Sequence, residues 1–173
     1  RLFSVASPLR ASKILRDAAA DGGGLEKGRC LISTDPITPP ARSPALRFAL
    51  AAAELAYNTR CENVVLLDLR ERSPVTEFFV LATGSSPRQM RTVVEEIRDL
   101  GKKLGFGAWK TSGLETGRWI LVDCVAVVCH VFEADSRDFY DLEVVWGDCP
   151  RVEWRKELGL PTAVENAADS ERR

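Results

Sequence analysis

The sequence is poor in the groups that do chemistry. Its 173 residues hold one histidine, His130, and five cysteines, Cys30, Cys61, Cys124, Cys129 and Cys149, none of them in a CxxC pair. A closed metal site needs several convergent ligands. Cys124, Cys129 and His130 bring no second ligand pair, and adjacent strand residues point to opposite faces, so the cysteines read as small buried residues and neither a metal nor a cofactor is expected. An odd, unspaced set in a chain long enough to build its own core fits a reducing compartment. No run approaches the roughly 20 apolar residues of a membrane span, so the protein is expected to be soluble, with no membrane partner. The formal net charge is -1, and residues 45–160 carry fifteen Lys/Arg against eighteen Asp/Glu. Without a basic stripe or an aromatic-basic motif, direct sequence-specific contact with nucleic acid is not expected. No Ser or Cys nucleophile stands with a base and an orienting third group.

The first 44 residues lack an amphipathic period and contain Gly22-Gly23-Gly24 and the ITPPARSP run over 37–44, which reads as a flexible leader. Its first sixteen residues hold four basic and no acidic side chains, the composition of an organelle transit peptide. The chain starts at Arg1 rather than Met, so a gene-model extension is the alternative. One folded domain is expected over 45–150, followed by an extension over 151–173, disordered from about 161.

Within the domain, Ser43 and Pro44 predict a helix start, with Phe48, Ala52 and Leu55 on the stripe of a helix over 45–57. A strand follows over 63–70, where Val65, Leu67 and Leu69 form a clean apolar face and Val64, Leu66, Asp68 and Arg70 a mixed one. The next strand, 77–83, sets Phe78, Val80 and Ala82 against Glu77, Phe79, Leu81 and Thr83. Ser86 and Gln89 make a capping box for a helix whose stripe is Met90, Val93, Val94, Ile97, Leu100 and Leu104, ending at Gly105. A short strand near 108–111 leads to strands over 119–124 and 127–132. The last helix, capped by Asp135 or Ser136, is expected to turn Phe139, Leu142, Val145 and Trp146 inward. The fold class is therefore α/β, α+β-like: a single domain with a mixed five-stranded sheet and helices mainly on one face, the other face being left for binding.

Parity singles out one surface. Ile120, Val122 and Cys124 form an apolar face; Trp119, Leu121 and Asp123 share a mixed one. A Trp beside an Asp on a mixed strand face suits contact with a partner rather than catalysis. Two chemical alternatives are weaker. Gly84-Ser85 stands where nucleotidyltransferases place a phosphate-facing turn, but the carboxylates about ten residues later, Glu95 and Glu96, fall adjacent on a helix and diverge by about 100 degrees, so they cannot share a metal. His130 lies between Val128 and Phe132 by parity and reads as a satisfied, partly buried histidine. The acidic residues Asp138, Asp141, Glu143 and Asp148 read as a solvated helix face. No catalytic residue is assigned.

Asp68-Leu69-Arg70, Ser73-Pro74-Val75-Thr76-Glu77-Phe78-Phe79-Val80, Ala82-Thr83-Gly84-Ser85-Ser86 with Arg88-Gln89, Trp119-Ile120-Leu121-Val122-Asp123, His130-Val131-Phe132, Arg137 with Phe139-Tyr140-Asp141-Leu142-Glu143, and Trp146-Gly147-Asp148, taken together and in order, resemble the ribosomal silencing factor family, also called Iojap. The likeness spans about residues 46–150. It implies a nucleotidyltransferase-like sheet without the catalytic residues, and a non-enzymatic translation repressor, cytoplasmic unless the leader directs it to a mitochondrion or plastid. The implied partner is the large ribosomal subunit, through its universal protein fourteen, with joining of the small subunit blocked. The resemblance also implies a link to ribosome biogenesis. Carried over, the resemblance assigns partner contact to Trp119, Ile120, Leu121 and Asp123, of which parity by itself supports all but Ile120. The alternatives are a metal-dependent nucleotidyltransferase-like enzyme and a self-associating module that forms a homodimer. Where many members place Gly-Asp between the two strands, this chain has Val125-Ala126, which leaves their register open.

Overall fold

The computed structural model describes residues 42–161. The leader up to residue 41 and the tail beyond 161, with the transit-peptide and disorder expectations attached to them, lie outside the described residues.

Helix α1 (Pro44–Asn58) begins where the Ser43 hydroxyl accepts the Leu46 N–H at 3.1 Å, with Pro44 in the first turn. One orphan amide is thereby satisfied, and the amide that proline lacks would have had no partner. Ala45, Ala49, Ala52, Ala53 and Ala56 are buried beside Phe48; their small side chains let the helix approach β1 (Glu62–Asp68), β2 (Phe78–Thr83) and α2 (Pro87–Lys103) closely. Helix α2 buries Met90, Val93, Val94 and Ile97, the predicted stripe. It stops at Leu104, and Gly105 supplies a φ of 82°.

Strands β3 (Lys110–Ser112), β4 (Trp119–Asp123) and β5 (Val127–Phe132) complete a five-stranded sheet in the order β1-β2-β5-β4-β3. Only β2 and β5 are parallel, so the sheet is mixed, as expected. Leu66, Phe78, Val80, Ala82, Ile120, Val122, Cys129 and Val131 pack in one cluster with α1 and α2. The opposite face holds a smaller cluster, in which Leu67, Leu69, Leu81, Phe132 and Cys149 gather Val65, Phe79, Trp119, Leu142 and Trp146 around them.

Three expectations are corrected. In β1 the clean apolar face of Val65, Leu67 and Leu69 turns away from the helices, and Leu66 with Val64 faces them. Both sides of this strand bury apolar residues, so alternation does not say which one the helices cover. The final helix is two short ones, α3 (Ala134–Tyr140) and α4 (Leu142–Val145), because Asp141 between them takes a left-handed φ of 38°. That break destroys the helical phase, leaving Phe139 and Val145 exposed while Leu142 and Trp146 pack on the smaller cluster. No side chain caps α3 at Glu133, so neither Asp135 nor Ser136 is its cap. Finally, the domain does not end at Pro150. The Asp68 N–H donates to the Pro150 carbonyl (2.9 Å), the Val152 N–H donates to the Leu66 carbonyl (2.8 Å), and the Trp154 indole donates to the Val64 carbonyl (3.0 Å). Trp154 opens α5 (Trp154–Glu157) and packs against Tyr57 of α1. Residues 150–154 thus cover the outer edge of β1, which would otherwise present unpaired amides.

The β4–β5 link is a tight turn despite lacking glycine. The Cys124 N–H donates to the Val127 carbonyl at 2.9 Å, and Val125 adopts a φ of 66°, which a β-branched residue rarely takes. The Asp123 carboxylate holds it there, accepting the Val125 N–H at 2.8 Å. The register follows: Asp123 opposes Val128, Leu121 opposes His130, and Trp119 opposes Phe132.

Candidate partner-binding face

The side of the sheet away from α1 and α2 carries an aromatic layer. The Trp119 ring lies 5.0 Å from Phe132 at 22° and 5.8 Å from His130 at 29°, centroid to centroid, and Tyr140 of α3 tilts against it at 4.7 Å. Phe79 meets His130 and Trp146 edge-on at 4.8 and 5.4 Å. The Trp119 indole N–H donates to His130 Nδ1 at 3.3 Å. Burial pushes the His130 imidazole down to about 4, so at neutral pH it is uncharged and Nδ1 can accept. The layer reaches solvent at Tyr140 and at Phe139, whose rings touch at 5.1 Å. Phe139 is 82% exposed, and Val144 and Val145 of α4 are exposed as well.

Arg137 fixes the segment that carries these exposed rings. Its buried guanidinium donates to both Glu143 oxygens (3.2 and 2.7 Å), to the Asn63 carbonyl (2.7 Å) and to Thr83 Oγ1 (2.8 Å). The Asn63 carbonyl is available because β1 shifts register between Glu62 and Val65, with Asn63 at a φ of 47°. A basic residue on a short helix gives no sequence sign that it will be buried, and the bulge that frees its acceptor is equally silent.

Of the residues assigned to partner contact, Trp119, Leu121 and Asp123 share this face and are half-buried. Asp123 stands four residues from Trp119, about 13 Å along the strand, and one of its oxygens is engaged by the turn. Ile120 does not share it: it is 0% exposed in the helix-covered core, so its side chain supports the strand from behind. Tyr140 and Phe139 are what parity missed. The former joins the layer through Trp119, and only the break at Asp141 reveals the latter's exposure.

The chemical alternatives meet other geometry. Cys124 and Cys129 lie in the helix-covered core, on the other side of the sheet from His130. Burial pushes the Cys61 and Cys124 thiols up to about 11 and the Cys129 thiol higher still. No group of His, Cys, Asp and Glu among the described residues is arranged to hold a metal ion. At the carboxyl ends of β2 and β5 lies an open cleft of about 240 Å³, lined by Thr83, Gly84, Ser85, Glu62, Glu133 and Asp135. A phosphate there would need the Ser85 amide and hydroxyl. Both instead donate to Gln89 Oε1, at 2.6 and 3.0 Å, while Gln89 Nε2 is tied to the Thr59 carbonyl. The three carboxylates around the cleft oppose an anion further.

Residues 41–173 match the family model described as "Ribosomal silencing factor during starvation". The chain belongs to the ribosomal silencing factor family. That membership assigns it to translation regulation. A relative in Bacillus subtilis named "Ribosomal silencing factor RsfS" is 37% identical over 61% of this chain and 86% of its own. "Protein Iojap, chloroplastic" of Arabidopsis thaliana is 30% identical over 70% of this chain and 52% of its own. These relatives are named as silencing factors or Iojap, not as enzymes, and they come from bacteria and from a plastid. Crystal structures of proteins from Chromobacterium violaceum (TM-score 0.57, 29% identity, 60% of this chain and 86% of that one) and Bacillus halodurans (TM-score 0.54, 31% identity, 65% and 99%) share the fold. No helix among the described residues is long and apolar enough to cross a membrane.

Proposed function

We propose that this protein binds the large ribosomal subunit through its universal protein fourteen, on the face centred on Trp119, and blocks joining of the small subunit by occupying the shared surface. The observation that carries this reading is the Trp119 indole, half-buried and in unbroken ring contact with the exposed Tyr140 and Phe139. Such a run of aromatics gives a partner a rigid apolar centre. Inhibition then involves no bond-making. The bound domain excludes the small subunit sterically and competes for its contacts. Leu121 extends the centre along β4 and Asp123 lies toward its rim. The reading requires the protein to share a compartment with the ribosomes it silences, whether the cytoplasm or an organelle.

The test is co-sedimentation of the full chain with purified large and small subunits, wild type beside Trp119→Ala. Selective pelleting with the large subunit, weakened about thirtyfold in the variant, is expected, corresponding to about 2 kcal/mol for a central anchor. Failure of the folded wild-type chain to pellet with either subunit refutes the reading, and unchanged pelleting of the variant moves the contact elsewhere. The same exposed rings favour a second reading, self-association through this face. A dimer seen by sedimentation velocity in the free wild type and lost in Trp119→Ala would support it.

A further inference from the structure

Trp119 and His130 are not direct cross-strand partners. In the register, Trp119 opposes Phe132 and Leu121 opposes His130, so the two rings meet diagonally across β4 and β5, within the reach of large side chains. Their contact combines a stack with a hydrogen bond, 5.8 Å between centroids and 3.3 Å from indole nitrogen to Nδ1. His130 itself has no freedom. It is 4% exposed, meets the Phe79 edge at 4.8 Å and lies nearly parallel to Phe132 at 6.0 Å. An imidazole that accepts at Nδ1 carries its proton on Nε2. Among the described residues Nε2 has no hydrogen-bonding partner, so the indole is the only polar group that selects the tautomer.

We propose that His130 is the positioning residue for Trp119: by accepting the indole N–H at Nδ1 it fixes the rotamer of the ring and removes its only donor, so that a partner meets an apolar indole held in place. The consequence for recognition rests on the function proposed above. A pocket that receives Trp119 is then apolar and need not supply an acceptor for the indole nitrogen. Holding the ring before association also removes ordering that binding would otherwise require. A purely packing role makes a different demand on position 130, namely a flat ring of the right size.

Two variants separate these roles. His130→Phe keeps a flat ring and loses the acceptor; His130→Asn loses the ring and keeps an acceptor near the place of Nδ1. In the free wild-type full chain, nitrogen-15 NMR is expected to show an unprotonated Nδ1, a protonated Nε2 and a Trp119 indole proton slow to exchange. His130→Phe should keep its thermal stability yet free the indole proton and weaken large-subunit binding by about three- to tenfold, the worth of one hydrogen bond. His130→Asn, though less stable, should retain the indole shift and bind more tightly than His130→Phe. A wild-type Nδ1 that carries the proton, or a His130→Phe chain that binds as well as wild type, overturns the proposal. The NMR measurement needs no ribosome, so loss of the binding reading and loss of the His130 assignment are distinguishable.

Discussion

Arg137 offers the sharpest energetic test, because its guanidinium ties the exposed segment to Asn63 of β1 and Thr83 of β2. Removing it orphans the buried Thr83 hydroxyl and the Asn63 carbonyl and leaves the Glu143 carboxylate without its fork. Breaking a buried ion pair by removing one partner costs about 3–5 kcal/mol. Here the Glu143 side chain retains 21% exposure against 8% for Arg137, so water recovers part of the loss, and about 3 kcal/mol is expected. That is a large share of the roughly 5–15 kcal/mol of a typical domain. Arg137→Met retains most of the apolar stem, so its cost isolates the polar network. Arg137→Lys should recover less than half of it, since a single ammonium cannot reproduce a fork that reaches three acceptor residues. Urea unfolding followed by far-UV circular dichroism gives the values, with Glu143→Gln and the double variant closing a cycle whose coupling should be about 1–2 kcal/mol. A cost below about 1 kcal/mol for Arg137→Met, or strict additivity with Glu143→Gln, would show that the segment is held by apolar packing and that the network contributes little.

Other consequences follow from the same geometry. Because burial depresses His130 to about 4 against about 6.5 unfolded, the unfolded chain binds the extra proton between those values. Stability is therefore complete above about pH 6.5 and falls toward pH 4, by about 3 kcal/mol. Urea midpoints should show this slope, and His130→Phe should lose it; the rings packed on His130 carry no charge, and Asp68, held low by Arg70, contributes only further into acid. Gly113→Ala should cost about 2–3 kcal/mol, since φ is 84° and a Cβ would lie 1.8 Å from the Trp119 carbonyl; a thermal midpoint near wild type would contradict that contact. In a Cys30→Ser background, the four buried cysteines Cys61, Cys124, Cys129 and Cys149 should react with a disulfide reagent at pH 8 more than about a hundredfold slower than in urea. Rapid labelling of the native chain would show that the core around them opens.

What could be read from the sequence depended on whether one local signal was sufficient. The starts of α1 and α2 were legible because Ser43-Pro44 and Ser86-Pro87 cap in place. The faces of β4 were legible because Trp119, Leu121 and Asp123 alternate cleanly with buried neighbours. Leu66 and Leu67, buried on opposite sides of β1, show where alternation stops discriminating. Phe139 and Val145 failed because a helical stripe presumes continuous phase, and a left-handed Asp141 is tolerated by its type without being announced by it. The pairing of Trp119 with His130 required the register, which the Val125-Ala126 link withheld. Ile120 came from the resemblance alone, and its side chain lies on the buried apolar face where parity put it. Trp154 was hidden among charged neighbours, since its burial comes from a β1 edge distant in sequence.

The chemistry of the exposed segment also narrows what it can meet. Residues 133–148 contain six acidic side chains and one basic, Arg137, and that one is buried and paired. Asp138 and Asp141 flank Phe139 and Tyr140, and all four are exposed. If stability alone shaped this surface, polar residues at 139, 144 and 145 would serve it better, because exposed apolar side chains contribute little to the core and promote association. Under the function proposed above, the exposed apolar side chains would form the centre of the contact and the acidic ones its polar rim. Its sign opposes the approach of nucleic-acid phosphate and favours a partner with basic groups around an apolar pocket. Under the function proposed above, such a face would be repelled by bare RNA and would suit a protein surface that carries basic groups.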